Sequence, residues 1–417
     1  MEKLIISGGA KLSGVVTISG AKNAILPILA ASILNNSPVV LEGVPHLDDV
    51  KTIKGVLEAL GAKLKWERDL IKVDPTTICS TEVPPNLMRR MRASNLVMGA
   101  LLGRYGRVKV SYPGGCTIGT RPMDLHIKGF VALGARVREK HGFIEAEAPC
   151  LQGTEIHLDF PSVGATENIM MAAVLAQGTT IIRNAAREPE IVDLQNFLNK
   201  LGAQIKGAGL DTIRIDGVPA IGREISYRVI PDRIETGTFM VAAALAQGEV
   251  LIKNTISKHV EPVIAKLREA GVKISEEDDQ IHVTGVERWD ALDIRTFPFP
   301  GFPTDMQPQM MVFLSLAKGT SIITENIFEN RFQHVGELRR MGAQIHVEGR
   351  SAIIKGVPCL TGTVVEATDL RAGAALVLGG LVAENTTIVE GLHHLDRGYE
   401  RFEEKLQLLG AEIKRQE

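Results

Sequence analysis

Six cations, Lys22, Arg92, Arg121, Arg331, Arg371 and Arg397, fall at or within two residues of recurring offsets along a chain of 417 residues. Fourteen residues before the turn that ends each apolar helical run stand Asn23, Arg92, Gly164, Ile234, Asp305 and Arg371. Thirteen residues before each glycine of a recurring Leu-Gly-Ala type cap stand Asp48, Arg121, Pro189, Lys258, Glu329 and Arg397. Both places read as helix starts, where free N–H groups and the positive end of the helix dipole favour an anion and disfavour a cation. An arginine there is better explained by an anionic ligand than by helix stability. Guanidinium forks bind phosphate and carboxylate in bidentate fashion, so the set suits a small ligand carrying several negative groups. The competing reading is six ordinary surface cations.

Two further residues carry chemistry. Cys116 sits at the centre of SYPGGCTIGTR (111–121), a glycine-rich segment between a strand and a helix that reads as a mobile lid. A loop thiol near arginines has a lowered pKa and can serve as acid, base or nucleophile; an inert thiol is the alternative. Asp305, in GFPTDMQPQ (301–309), either caps the following apolar helix or acts as a general base toward a hydroxyl. Asp369 and Glu190 carry the same ambiguity. His126 and His394 read as polar residues at helix starts, without a catalytic role. No HExxH, Walker loop or Cys/His ligand spacing occurs, so neither a metal nor a nucleoside triphosphate is indicated.

The caps Leu60-Gly61-Ala62, Leu133-Gly134-Ala135, Leu201-Gly202-Ala203, Ala270-Gly271-Val272, Met341-Gly342-Ala343 and Leu409-Gly410-Ala411 recur roughly every 70 residues, too long for a solenoid repeat. Each unit reads as a buried helix, a strand, an amphipathic helix ending at the cap, and a hairpin. An inner helix such as IMMAAVLAQ is apolar all round, whereas EIVDLQNFLNKLG has one apolar stripe and belongs outside. The expected fold class is α/β, with two domains of three repeated units each. Residues 22–229 hold three complete units. Residues 230–417 lack a final hairpin, which the leader LIISGGAKLSGVVTISGA resembles, so the second domain is expected to comprise 1–21 plus 230–417, with the active site in the cleft between domains. A net charge of −2 and 4% aromatic residues argue against nucleic-acid binding. The absence of a long apolar run argues against membrane insertion and makes a cytoplasmic location the expectation.

The segments SGAKNAILPILAA (19–31), RASNLVMGALLGR (92–104), PGGCTIGTRPMDLH (113–126), GFPTDMQPQ (301–309), FENRFQHV (328–335), ATDLRAGAALV (367–377) and DRGYERFEEKL (396–406) together resemble the UDP-N-acetylglucosamine 1-carboxyvinyltransferase family of enolpyruvyl transferases along the whole chain. The resemblance implies a two-domain inside-out α/β barrel closing on phosphoenolpyruvate and UDP-N-acetylglucosamine, with the enolpyruvyl group passing to the sugar 3-hydroxyl and phosphate released. It implies that Lys22, Arg121 and Arg397 hold the phosphate, that Arg331, Arg371 and Arg397 lie near the carboxylate, and that Asn23 touches the tetrahedral intermediate. Cys116 would protonate the methylene carbon, form a covalent phosphoenolpyruvate adduct and be alkylated by fosfomycin. Asp305 would accept the hydroxyl proton. Arg92, Arg121, Pro122, Met123, Asp124, Leu125, Ser162, Val163, Gly164, Asp305 and Ile327 would contact the UDP-sugar, with Asp369 also at the substrate site. No cofactor is implied. The implied role is the first committed step of peptidoglycan synthesis, and with it cell-wall biogenesis, cell shape and cell division. The alternatives are the sister activity on shikimate 3-phosphate, or a repeat clamp without catalysis.

Overall fold

The computed structural model describes residues 2–90, 95–112 and 123–416; Arg92, Cys116, Arg121 and Pro122 lie outside them. Within those residues the chain divides into two units, one formed by residues 20–230 and the other by 2–19 and 231–416. Each has its own apolar core.

The repeated cap explains how every outer helix ends. Gly61, Gly134, Gly202, Gly271, Gly342 and Gly410 all adopt φ between 93° and 116°, a region that costs a side chain dearly and glycine nothing. The next residue then turns its N–H back into the helix: Ala62 to the Leu57 carbonyl at 3.0 Å, Ala203 to Leu198 at 3.0 Å, Ala411 to Leu406 at 3.0 Å. This satisfies carbonyls otherwise orphaned at a helix end, while the small residue itself is buried. The outer helices so terminated include Asp48–Ala59, Pro189–Leu201 and Ser257–Glu269. In Pro189–Leu201 the buried apolar residues Ile191, Leu194, Phe197, Leu198 and Leu201 form the single stripe expected of an outer helix.

The inner helices are Lys22–Ala31, Val97–Tyr105 and Val163–Ala173 in the N-terminal unit, and Arg233–Leu245, Gln307–Ser315 and Leu370–Val382 in the C-terminal unit. They are buried on nearly every face. Small residues let them touch backbone to backbone: a Cβ on Gly99 would lie 2.1 Å from the Asn168 carbonyl oxygen of the neighbouring inner helix.

Three antiparallel strands form the body of each sheet, and in five of the six a parallel strand from another repeat adds an edge; in the second repeat's sheet the described residues supply only an isolated parallel bridge, Glu82 to Lys109. Glu155–His157 runs parallel to Thr179–Arg183, and Ile225–Arg228 runs parallel to Val39–Glu42, which links the third repeat back to the first. The C-terminal unit closes likewise through the leader. Lys3–Ser7 is inserted between Thr386–Glu390 and Glu412–Gln416, where other repeats place the second strand of their hairpin, and Ser13–Thr17 runs parallel to Glu249–Lys253 of the fourth repeat. In each unit, three inner helices are thereby enclosed by outer helices and sheets, and the inner-helix starts become the natural places for a site. Among the described residues no helix is long and apolar enough to cross a membrane.

Candidate active site

In the C-terminal unit the fifth and sixth inner helices bring three of the sequence-identified residues into one buried cluster. Asp305 lies in the 3-10 turn Thr304–Met306, stiffened by Pro303 and Pro308, and Arg371 lies in the first turn of Leu370–Val382. Arg331 comes from the turn region following Ile327. Asp305 Oδ1 accepts from Arg331 Nη2 at 3.2 Å, and Oδ2 accepts from Arg371 Nε at 3.1 Å, with Arg371 Nη2 also at 3.1 Å. Both arginines are only 2% exposed. The capping role open to Asp305 is not realised, because no side-chain cap hydrogen bond exists on its turn or on the helix that follows. Asp369 is the residue that caps: its Oδ1 accepts from the N–H groups of Arg371 (2.9 Å) and Ala372 (3.1 Å). That bond overcomes the dipole's objection to an arginine at a helix start and fixes Arg371 in place.

Several buried polar atoms of the cluster lack partners. Arg331 Nε, Arg371 Nη1 and Asp369 Oδ2 have no hydrogen-bond partner, and His334 is fully buried. Buried donors without acceptors cost free energy that a ligand can recover. His334 is pushed down to about 4, chiefly by burial, with Arg331 acting in the same direction and Asp369 opposing, so the ring stays neutral beside the arginine. Ile327 is set by the buried Glu325, whose Oε1 accepts from the Ile327 N–H at 2.8 Å and from Thr296 Oγ1 at 2.8 Å, and whose Oε2 accepts from Thr304 Oγ1 at 2.9 Å. Arg397 does not open the outer helix as the offset suggests. It closes a 3-10 turn, Leu395–Arg397, and the helix begins later at Phe402.

The N-terminal unit holds a different arrangement. Lys22 opens the first inner helix, which has no side-chain cap, and its ammonium is paired with the buried Asp49 at 2.5 Å. Asn23 follows on the same turn. Asp124 and Leu125 start the helix Asp124–Ala132, and Ser162 caps Val163–Ala173 with its hydroxyl on the Ala165 N–H at 3.4 Å. These two helix starts are neighbours, because a Cβ on Gly164 would lie 3.3 Å from His126 Cε1. Asn168 ties them together: its Oδ1 accepts from the Gly99 N–H at 2.7 Å, which orients the amide so that Nδ2 donates to His126 Nδ1 at 3.0 Å. Met123 is buried, its sulfur 3.2 Å from Asn95 Nδ2.

Sequence reasoning missed Asp49, Glu325 and His334, and it missed the polar residues inside the apolar inner helices, Thr238 and Gln309. A polar side chain in an otherwise apolar, fully buried helix was the available signal for the last two.

Comparison with known proteins defines the class first. The description of the EPSP synthase family (3-phosphoshikimate 1-carboxyvinyltransferase) matches residues 6–406. In structure, the chain superposes on the enolpyruvyl transferase NikO from Streptomyces tendae with a TM-score of 0.91 and 26% identity, covering 99% of this chain and 98% of that one. In sequence, it is 58% identical to UDP-N-acetylglucosamine 1-carboxyvinyltransferase 2 of Carboxydothermus hydrogenoformans (100% of this chain, 99% of the relative). It is 57% identical to UDP-N-acetylglucosamine 1-carboxyvinyltransferase 1 of Caldanaerobacter subterraneus subsp. tengcongensis, with 99% of each covered. The chain belongs to the enolpyruvyl transferases, and among them to the UDP-N-acetylglucosamine 1-carboxyvinyltransferase family.

Proposed function

We propose that this chain transfers the enolpyruvyl group of phosphoenolpyruvate to the 3-hydroxyl of UDP-N-acetylglucosamine, releasing phosphate. The observation that carries the reading is a carboxylate, Asp305, held between two buried arginines that each retain an unpartnered nitrogen. Such a group can give up its arginines to an incoming carboxylate and take a proton from a hydroxyl. In this reading Cys116 protonates the methylene carbon of phosphoenolpyruvate, the sugar oxygen adds to the resulting oxocarbenium-like carbon as Asp305 takes its proton, and phosphate leaves as the methyl proton returns to the enzyme. Lys22, Arg121 and Arg397 neutralise the departing phosphate, Arg331 and Arg371 hold the carboxylate, and Asn23 and Asp369 line the same site. Arg92, Arg121, Pro122, Met123, Asp124, Leu125, Ser162, Val163, Gly164 and Ile327 receive the sugar nucleotide. Cys116 is also where a covalent phosphoenolpyruvate adduct and alkylation by fosfomycin occur. The product is a peptidoglycan precursor, which assigns the enzyme to the cytoplasm and to cell-wall growth, cell shape and division.

A phosphate-release assay with phosphoenolpyruvate and each acceptor tests the reading. Release dependent on UDP-N-acetylglucosamine is expected; release with shikimate 3-phosphate instead assigns the sister activity, and no release with either leaves a non-catalytic clamp.

A further inference from the structure

Arg371 lies against the ring of Tyr399, its Cζ 5.2 Å from the centroid, and that ring is fixed at every side. Tyr399 packs on Phe402 at 4.8 Å between centroids, and Phe402 meets Phe239 edge-on at 5.5 Å. The hydroxyl end is held just as firmly. Thr238, next to Phe239 on the fourth repeat's inner helix, has one hydroxyl proton and places it on the Ile234 carbonyl at 2.7 Å. Its oxygen can therefore only accept at Tyr399, so Tyr399 donates to Thr238 Oγ1 across 2.8 Å. Gln309, on the fifth inner helix, donates Nε2 to the Tyr399 oxygen at 3.2 Å and to Thr238 Oγ1 at 3.1 Å. Thr238, Gln309 and Tyr399 are all buried. Burial raises the pKa of the phenol, against the lowering effects of Arg371 and Thr238, and keeps the proton that this chain of bonds requires.

The result is a polar array in which residues from the inner helices of the fourth and fifth repeats brace the arginine of the sixth. Asp305 grips Arg371 through Nε and Nη2, leaving Nη1 without a partner, while Tyr399 bounds the guanidinium through its ring. When a substrate carboxylate competes with Asp305 for the arginine, Tyr399 is the contact that remains.

We infer that Tyr399, held by Thr238 and Gln309, is a positioning residue that aims Arg371 at the carboxylate of phosphoenolpyruvate. This rests on the reaction proposed above. The experiment measures phosphate release with each substrate varied separately in the wild type, Tyr399→Phe, Thr238→Val and Thr238→Ser, together with calorimetric binding of phosphoenolpyruvate to the same proteins in the presence of UDP-N-acetylglucosamine. Tyr399→Phe keeps the ring face and loses the donor, and Thr238→Val removes the acceptor. Each is expected to raise the phosphoenolpyruvate KM about 3- to 10-fold, the worth of one buried hydrogen bond, with kcat and the sugar-nucleotide KM within about twofold of wild type. Thr238→Ser restores the acceptor and is expected to behave as wild type. An unchanged phosphoenolpyruvate KM in Tyr399→Phe, an equal rise for both substrates, or a Thr238→Ser variant as impaired as Thr238→Val overturns the inference. If Tyr399→Phe fails to fold, the two Thr238 variants decide. If the wild type binds phosphoenolpyruvate but releases no phosphate, the reaction is wrong, and the binding series alone judges the aim of Arg371. If the wild type does not bind phosphoenolpyruvate, both fall.

Discussion

The two units share one architecture and use its equivalent positions differently. At the inner-helix starts of the C-terminal unit stand Asp232, Asp305, Asp369 and Arg371, with Asp232 and Asp369 as true caps and Asp305 bound to two buried arginines. In the N-terminal unit the first inner helix has no side-chain cap and opens on Lys22, with the balancing Asp49 supplied by an outer helix, while the third is capped by Ser162 and admits Gly164. One unit assembles a dense, under-satisfied charge cluster. The other offers one paired ammonium and two adjacent helix starts. A repeated fold thus fixes where side chains can converge, and the residue types at those places decide what the convergence does.

The comparison breaks most visibly on activity. Asp305→Asn keeps the shape of the clamp and removes its proton acceptor; kcat is expected to fall about 10²- to 10⁴-fold, with UDP-N-acetylglucosamine binding retained in a calorimetric titration. Cys116→Ala is expected to lose turnover to a similar extent, about 10²- to 10⁴-fold, with an unchanged melting temperature. A variant of either kind that still releases phosphate at the parent rate refutes the corresponding role. A smaller effect falls on stability. Asp232→Ala removes an oxygen that accepts from the Ile234 and Glu235 N–H groups at 2.8 and 3.0 Å, and is expected to destabilise the C-terminal unit by about 1 kcal/mol in denaturant unfolding. The first inner helix of the N-terminal unit has no such side-chain cap to lose.

A third comparison is a difference in sign. In the C-terminal unit His334 titrates at about 4 when folded and near 6.5 when unfolded, so the unfolded chain alone takes up a proton between those values and stability falls as pH drops from about 6.5 through 4. In the N-terminal unit Asp193 is raised to about 6, chiefly by burial, against about 3.9 unfolded. The folded form holds its proton longer, and stability falls as pH rises from about 3.9 through 6. Hydrogen exchange, which reads each unit separately, is expected to find that His334→Asn flattens the first slope and Asp193→Asn the second. Identical pH profiles for parent and both variants would mean that neither buried group is linked to folding.

Much of this was legible in the sequence because it rests on local rules. The cap glycines announce helix ends through backbone conformation alone, and of the arginines expected at helix starts Arg371 stands in the first turn of one. Asp305 was ambiguous because capping and proton transfer ask for the same residue at the same place; its bonds to Arg331 and Arg371, distant in sequence, show only that its carboxylate is engaged by arginines. Arg397 was misassigned to a helix start because the offset assumed equal outer helices, whereas the sixth begins only at Phe402. The bracing of Arg371 was hidden for a related reason: Thr238, Gln309 and Tyr399 lie in three different repeats, and no spacing rule connects them.

The leader strand has a consequence for biogenesis. Lys3–Ser7 pairs with Thr386–Glu390 and Glu412–Gln416, so a strand translated early waits for two translated far later before its sheet exists. The N-terminal unit is continuous in the chain and can mature during translation; the other cannot.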